Sequence, residues 1–231
     1  MSAEAVALLE ELRTTALSCT ACRLAEERLN VVFGDGNPRA DVVFVGEAPG
    51  AREDEQGLPF VGPSGKLLER LLGEIGLRRE DVYIANVVKC RPPKNRDPRP
   101  DEIVACKGYL REQLSLIDPK VVVTLGNFSS KLLLNTETGI TRLRGTAYEW
   151  WGRYLVPTFH PAAALRGSAQ VLEDMQYDFG LVAAAIAGNL RANTDNVGAN
   201  ADNVGANTDH DEVEPAAEPD DDPEQLGLFG A

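Results

Sequence analysis

Four short runs of β-branched and aromatic residues, each separated from the next by a loop and a helix-length segment, constrain this chain more than any other feature. Residues 41–46 (Asp41-Val42-Val43-Phe44-Val45-Gly46), 82–86, 120–125 and 154–157 are apolar almost without interruption, the pattern of strands covered on both faces. Apolar spacing places helices at about 64–75, 101–117, 128–134 and 169–187, and a short one at 4–13 carried by Val6, Leu8, Leu9 and Leu12. Parallel strands need long crossovers, and a helix fills that need. The alternation therefore predicts an α/β fold, a three-layer α/β/α sandwich with a mainly parallel four-stranded central sheet. In such sheets ligands bind beyond the carboxyl ends of the strands, so the loops after Val45, Ile84, Leu125 and Val156 are where chemistry is expected.

The 231 residues carry a formal net charge of -13, which looks hostile to a polyanion until it is located. Residues 191–231 hold 11 acidic residues against Arg191, so ten of the excess negative charges lie there and three remain in residues 1–190. A nearly neutral body can present a local basic face to nucleic acid. The tail also repeats Ala-Asn-x-Asp-Asn-Val-Gly from Ala192, small polar residues that cannot offset the entropy of ordering, without the apolar seam of a coiled coil. One domain at 1–190 and a disordered acidic tail at 191–231 are expected. The amino terminus has no basic segment leading into an apolar core, and no run of 18 apolar residues occurs, so a cytoplasmic protein is expected.

In that reducing compartment four cysteines are poor candidates for disulfides. Cys19-x2-Cys22 and Cys90-x15-Cys106 instead offer four soft ligands, which suit either a [4Fe-4S] cluster or a tetrahedral zinc. The spacing leaves both open.

Three loops carry the remaining signal: Gly46-Glu47-Ala48-Pro49-Gly50 after the first strand, Asn86-Val87-Val88-Lys89-Cys90-Arg91-Pro92-Pro93 after the second, and His160-Pro161-Ala162-Ala163-Ala164-Leu165-Arg166 after the fourth. With Gly57-Leu58-Pro59-Phe60-Val61-Gly62 and the four cysteines, this ordered set resembles the family 4, iron-sulfur uracil-DNA glycosylases over about residues 15–188. The resemblance implies hydrolysis of the N-glycosidic bond of uracil in DNA during base excision repair, by a monomeric enzyme. It also implies a [4Fe-4S] cluster on Cys19, Cys22, Cys90 and Cys106 in place of zinc.

Chemistry explains why such residues would be needed. Cleavage leaves negative charge on the departing uracil, so a donor must meet its O2; His160 is expected to supply it. Asn86 can donate to uracil O4 and accept from N3–H, a pattern cytosine cannot satisfy. Phe60 is expected to stack on the base, with Gly46 and Ala48 beside it, and Glu47 to position water. Better-known families carry that carboxylate one position later, at Ala48 here, and a thymine-excluding tyrosine where Gly50 stands. A base must leave the stack to react, so Leu165 is expected to fill the gap and Arg166 to hold a phosphate. Lys89, Arg91, Lys94, Arg96 and Arg99 read as a basic finger for the DNA backbone. The tandem Trp150-Trp151 reads as packing. The last residues, with Gln225, Leu228 and Phe229, resemble the peptides by which repair enzymes grip sliding clamps. The alternatives are a module that binds uracil-containing DNA without turnover and one that traps the sugar covalently.

Overall fold

A computed structural model describes residues 3–190. The disordered-tail and clamp-peptide expectations, with Gln225, Leu228 and Phe229, lie outside the described residues. Along the chain run α1 (Ala3–Leu17), β1 (Asp35–Gly36), β2 (Val42–Gly46), α2 (Ala51–Gln56), α3 (Pro63–Glu74), β3 (Tyr83–Asn86), α4 (Pro100–Ile117), β4 (Val121–Leu125), α5 (Asn127–Leu134), α6 (Ile140–Leu143), β5 (Tyr148–Trp150), β6 (Arg153–Thr158), α7 (Pro161–Arg166) and α8 (Ala169–Ile186). Four parallel strands form the centre, as the alternation required, but the sheet has six strands in the order β1-β3-β2-β4-β6-β5. The two additions are antiparallel edges. β1 is only Asp35 and Gly36, with no β-branched residue to announce it. β5 folds back on β6 through a turn in which Trp151 has φ 52°, so edge pairing alone makes it a strand.

Alternate side chains of each strand point to opposite faces. Val43, Val45, Tyr83, Ala85, Val122 and Leu155 pack with α1, α4 and α5, while Val42, Phe44, Ile84, Val121, Val123 and Val156 pack against α3 and α8. Two apolar layers thus clamp one sheet, which is why β2 and β4 are buried throughout. Trp150 is buried and donates its indole N–H to the Leu133 carbonyl at 2.9 Å. The packing expectation therefore holds for Trp150, whereas Trp151 is exposed at the turn.

The strand order reverses about β2: β3 lies on one side and β4 on the other. Such a switch point opens a crevice at the carboxyl ends. The pairing also continues past the strands, since Val87 N–H donates to Gly46 O at 3.0 Å and Val88 N–H to Glu47 O at 3.1 Å. That continuation fixes the loop after β2 against the loop after β3. No helix among the described residues is long and apolar enough to cross a membrane.

Candidate active site

The crevice holds a cavity of about 800 Å³ whose walls include Glu47, Ala48, Phe60, Asn86, His160 and Arg166. Asn86 ends β3 with only 2% of its surface exposed, and among the described residues its Oδ1 has no hydrogen-bond partner. An unmet buried acceptor costs about 1–3 kcal/mol, so this carboxamide is set for a partner from outside the chain. Gly46 lies directly across the sheet from Asn86. A Cβ there would collide with Asn86 Oδ1 and come within 2.9 Å of the Phe60 ring. Gly46→Ala is therefore expected to fold but to lose about 10²-fold in kcat/KM, the cost of misplacing a binding group by about an ångström. Steady-state kinetics with a melting curve alongside check this; wild-type rates would contradict it.

His160 follows β6 and caps α7: its Nδ1 accepts the Ala162 N–H at 3.1 Å. That bond leaves the ring proton on Nε2, the nitrogen free to donate. Burial, helped by the charge of Arg166, pushes the imidazole down to about 4, so it is neutral at physiological pH. Its ring lies 5.7 Å from that of Phe60, tilted by 30°. Phe60 itself has φ 52°, in the left-handed region, a conformation that persists only when its surroundings enforce it. Two side chains do so. Arg79 donates to the carbonyls of Phe60 and Pro59 at 3.1 and 2.5 Å, and Glu53 Oε1 accepts from Val61 N–H at 3.0 Å and Gly62 N–H at 3.1 Å. Gly65 allows α3 to approach, since a Cβ there would strike the Phe60 carbonyl. Neither Glu53 nor Arg79 had any signal in the sequence, because each acts through backbone groups distant along the chain.

Glu47 also lines the cavity. Burial, with the neighbouring charge of Asp97, pushes its carboxyl up to about 7. Such a group changes charge near neutrality. At Gly50 an added Cβ would meet the second oxygen of Glu53 at 2.7 Å, so Glu53 fills the space a larger residue at Gly50 would take.

The residues expected to meet DNA divide. Arg166 lines the cavity, and Leu165 beside it on α7 is 51% exposed. Arg91 donates to Asn95 Oδ1 at 2.8 Å, and Lys94 is exposed with φ 57°. Arg96 reaches the cavity wall while its guanidinium forks onto Glu102 at 2.8 and 2.5 Å. Arg99 N–H donates to the same carboxylate at 2.8 Å, so Glu102 fixes the loop at the start of α4. Lys89 corrects the basic-finger expectation outright. It is 1% exposed and points into the protein, its Nζ bonded to Asn86 O at 2.8 Å and Gln113 Oε1 at 2.5 Å. Its long aliphatic stem and proximity to Cys90 made an inward course possible, but only burial shows it.

The four cysteines, from the segment after α1, the loop after β3 and the middle of α4, line one second pocket. None of the four is paired in a disulfide. Lys89 N–H donates to Cys106 Sγ at 3.2 Å and Arg28 to Cys90 Sγ at 3.3 Å, contacts that favour thiolate. Burial pushes the Cys22, Cys90 and Cys106 thiols the other way, Cys106 to about 11. Among the described residues no group of three or more Cys, His, Asp or Glu side chains is placed to hold a single metal ion. The donor set, four soft sulfurs with N–H groups and cations around them, fits an anionic thiolate cluster.

A buried carboxamide with an open acceptor, a ring held in a strained turn and a neutral imidazole thus meet in one crevice at the carboxyl ends of the strands of an α/β protein. The sequence profile of the Uracil DNA glycosylase superfamily matches residues 33–178. The chain is 49% identical over 166 residues, 68% of this chain and 76% of the other, to a type-4 uracil-DNA glycosylase of Sulfurisphaera tokodaii. It is 47% identical to that of Archaeoglobus fulgidus over 74% of this chain and 89% of the other, and 47% identical to that of Thermotoga maritima over 73% and 92%. The chain belongs to the uracil-DNA glycosylase superfamily, in its type-4 family.

Proposed function

We propose that this chain is a monofunctional uracil-DNA glycosylase that hydrolyses the N-glycosidic bond and leaves an abasic site for base excision repair. The observation that carries the reading is that buried Asn86, whose Oδ1 has no partner among the described residues, lines one cavity with Phe60 and a neutral His160. In that cavity an extruded uracil offers N3–H to Asn86 Oδ1 and O4 to the amide N–H. Phe60 stacks on the ring for about 1–3 kcal/mol. As the bond to the sugar lengthens, charge gathers on uracil O2, and His160 Nε2–H meets it without giving up a proton. Glu47, once ionised, orients water toward the sugar, with Gly46 and Ala48 forming the floor beside the base. Glu53, filling the space next to Gly50, takes the place of a wall against the thymine methyl. Leu165 fills the vacated stack, Arg166, Arg91 and Lys94 meet phosphates, and Arg96 shapes the loop that carries them.

Cys19, Cys22, Cys90 and Cys106 would hold a [4Fe-4S] cluster, whose iron-sulfur bonds tie the segment after α1 to the loop after β3 and to α4. The same reading makes residues 1–190 the glycosylase domain of a cytoplasmic monomer and 191–231 an acidic tail, with Gln225, Leu228 and Phe229 docking on a sliding clamp. Covalent trapping is disfavoured because the sequence holds only two histidines, His160 and His210, and His160 Nδ1 is engaged by Ala162. A DNA-binding module without turnover would have no use for Asn86 and His160 in one cavity.

An oligonucleotide with one uracil, incubated and then treated with alkali, is expected to be cut at that position, with cytosine and thymine controls intact. Intact uracil DNA would remove the assignment. Iron and sulfide analysis with a visible spectrum is expected to show a brown iron-sulfur protein; a colourless zinc protein would remove the cluster. Because Glu47 must be ionised to act and titrates at about 7, single-turnover rates are expected to rise through that pH. Below it they fall about tenfold per unit, the slope of one titrating group. Glu47→Gln flattens that limb. An unchanged limb in the variant would take the role from Glu47.

A further inference from the structure

Lys89 is a cation sealed inside the protein without an acid to match it. The other buried charges are provided for: Asp178 by Arg144, Glu102 by Arg96, and Asp54 by the N–H groups of Leu29 and Asn30. The Lys89 ammonium instead meets the Asn86 carbonyl at 2.8 Å, Gln113 Oε1 at 2.5 Å and, 5.8 Å away, the face of Phe33. All three are neutral. Among the described residues, the groups of opposite sign that act on it are the sulfurs of Cys106 and Cys90, and Lys89 lines their pocket. A buried charge without a counter-charge is strongly destabilising. Neutral thiols do not supply one, whereas thiolates around a cluster do.

The other end of the contact is as specific. Asn86 O belongs to the residue whose carboxamide faces the cavity, and Lys89 grips it from three positions along the chain. Gln113, the second acceptor, is itself fixed by donating to Phe33 O at 2.9 Å and to the Tyr83 hydroxyl at 3.1 Å. The ammonium is thus held at one point by the Asn86 peptide and Gln113, within electrostatic reach of Cys106 and Cys90.

We propose that Lys89 is a positioning residue: its charge balances the cysteine-bound cluster, and the same ammonium holds the Asn86 peptide so that its carboxamide faces the base. The inference deepens the reading of Asn86 as the uracil grip and rests on it. It makes recognition of the base depend on what the cysteines hold, through one side chain.

The test uses holoenzyme variants Lys89→Met and Lys89→Gln, each alone and combined with Asn86→Ala. Two quantities are read: kcat/KM on uracil DNA under enzyme excess, and the cluster's reduction potential by titration followed in its visible absorbance. Lys89→Met is expected to cost about tenfold in kcat/KM when Asn86 is present and under about twofold when it is absent, since contacting residues couple. The reduction potential should become more negative in both variants, because a nearby positive charge favours the reduced cluster. Lys89→Gln, which keeps a donor without the charge, should recover part of the rate but none of the potential. Equal losses in both Asn86 backgrounds, or a potential unmoved in both variants, would overturn the proposal. If Lys89→Met does not fold, Lys89→Gln carries the same comparison. A harmless Asn86→Ala by itself would instead overturn the earlier reading of Asn86, independently of Lys89.

Discussion

Asn86→Ala is expected to lower kcat/KM on uracil DNA by about 10³-fold, because two polar groups of the buried base, O4 and N3–H, lose partners at about 1–3 kcal/mol each. The same substitution removes an acceptor that has no partner in the free protein. Its melting temperature should therefore stay level or rise. This opposite movement of stability and activity separates a binding residue from a core residue, for which both would fall. The loss should also be selective, with cytosine gaining relative to uracil as the edge-reading group disappears, while thymine, which presents the same O4 and N3–H, does not. Single-turnover kinetics on the three bases, with thermal melts, check it. A variant that melts early and loses no selectivity would assign Asn86 to the core.

His160→Ala is expected to lower kcat by about 10²–10³-fold, the usual effect of deleting a donor to a developing oxyanion. KM should change little, since the contact strengthens only as the bond breaks. One complication can be removed by design. His160 also caps α7 through Nδ1, and losing a cap costs about 0.5–2 kcal/mol. His160→Asn keeps a capping side chain but is too short to reach the same point in the cavity. It should regain the stability lost in the alanine variant and none of the rate. Since the imidazole titrates at about 4, the histidine itself should leave no inflection near neutrality, where Glu47 dominates. A rate restored by asparagine, or a KM effect without a kcat effect, would contradict the electrophilic role.

Val42–Gly46 and Val121–Leu125 were legible as strands because a segment buried on both faces has no polar residue to spare. The loops at the carboxyl ends of β2, β3 and β6 followed from those strands, and the resemblance of their motifs to the iron-sulfur uracil-DNA glycosylases singled out Glu47, Asn86 and His160, all of which line the cavity. The edge strands were not. Asp35–Gly36 and Tyr148–Trp150 take their conformation from a neighbour, and a neighbour leaves no local pattern. The same holds for α2, α6 and α7, which are six residues or fewer.

Lys89 is the sharpest case. Counted with Arg91, Lys94 and Arg96 it is one more positive charge in a basic loop, yet its ammonium finds Gln113 twenty-four positions away and lies 1% exposed. Glu53 and Arg79 likewise act on the backbone of residues 59–62 from opposite sides, invisible to any reading of spacing. The sequence by itself determined the four central strands and the ends at which the candidate residues gather, because hydrophobic periodicity and strand termini are local properties. The tertiary structure alone decided which way Lys89 faces, which nitrogen of His160 carries the proton, and what holds Phe60 in its strained turn. Each of those depends on burial and on a partner brought from elsewhere in the chain, and neither exists before the chain has folded.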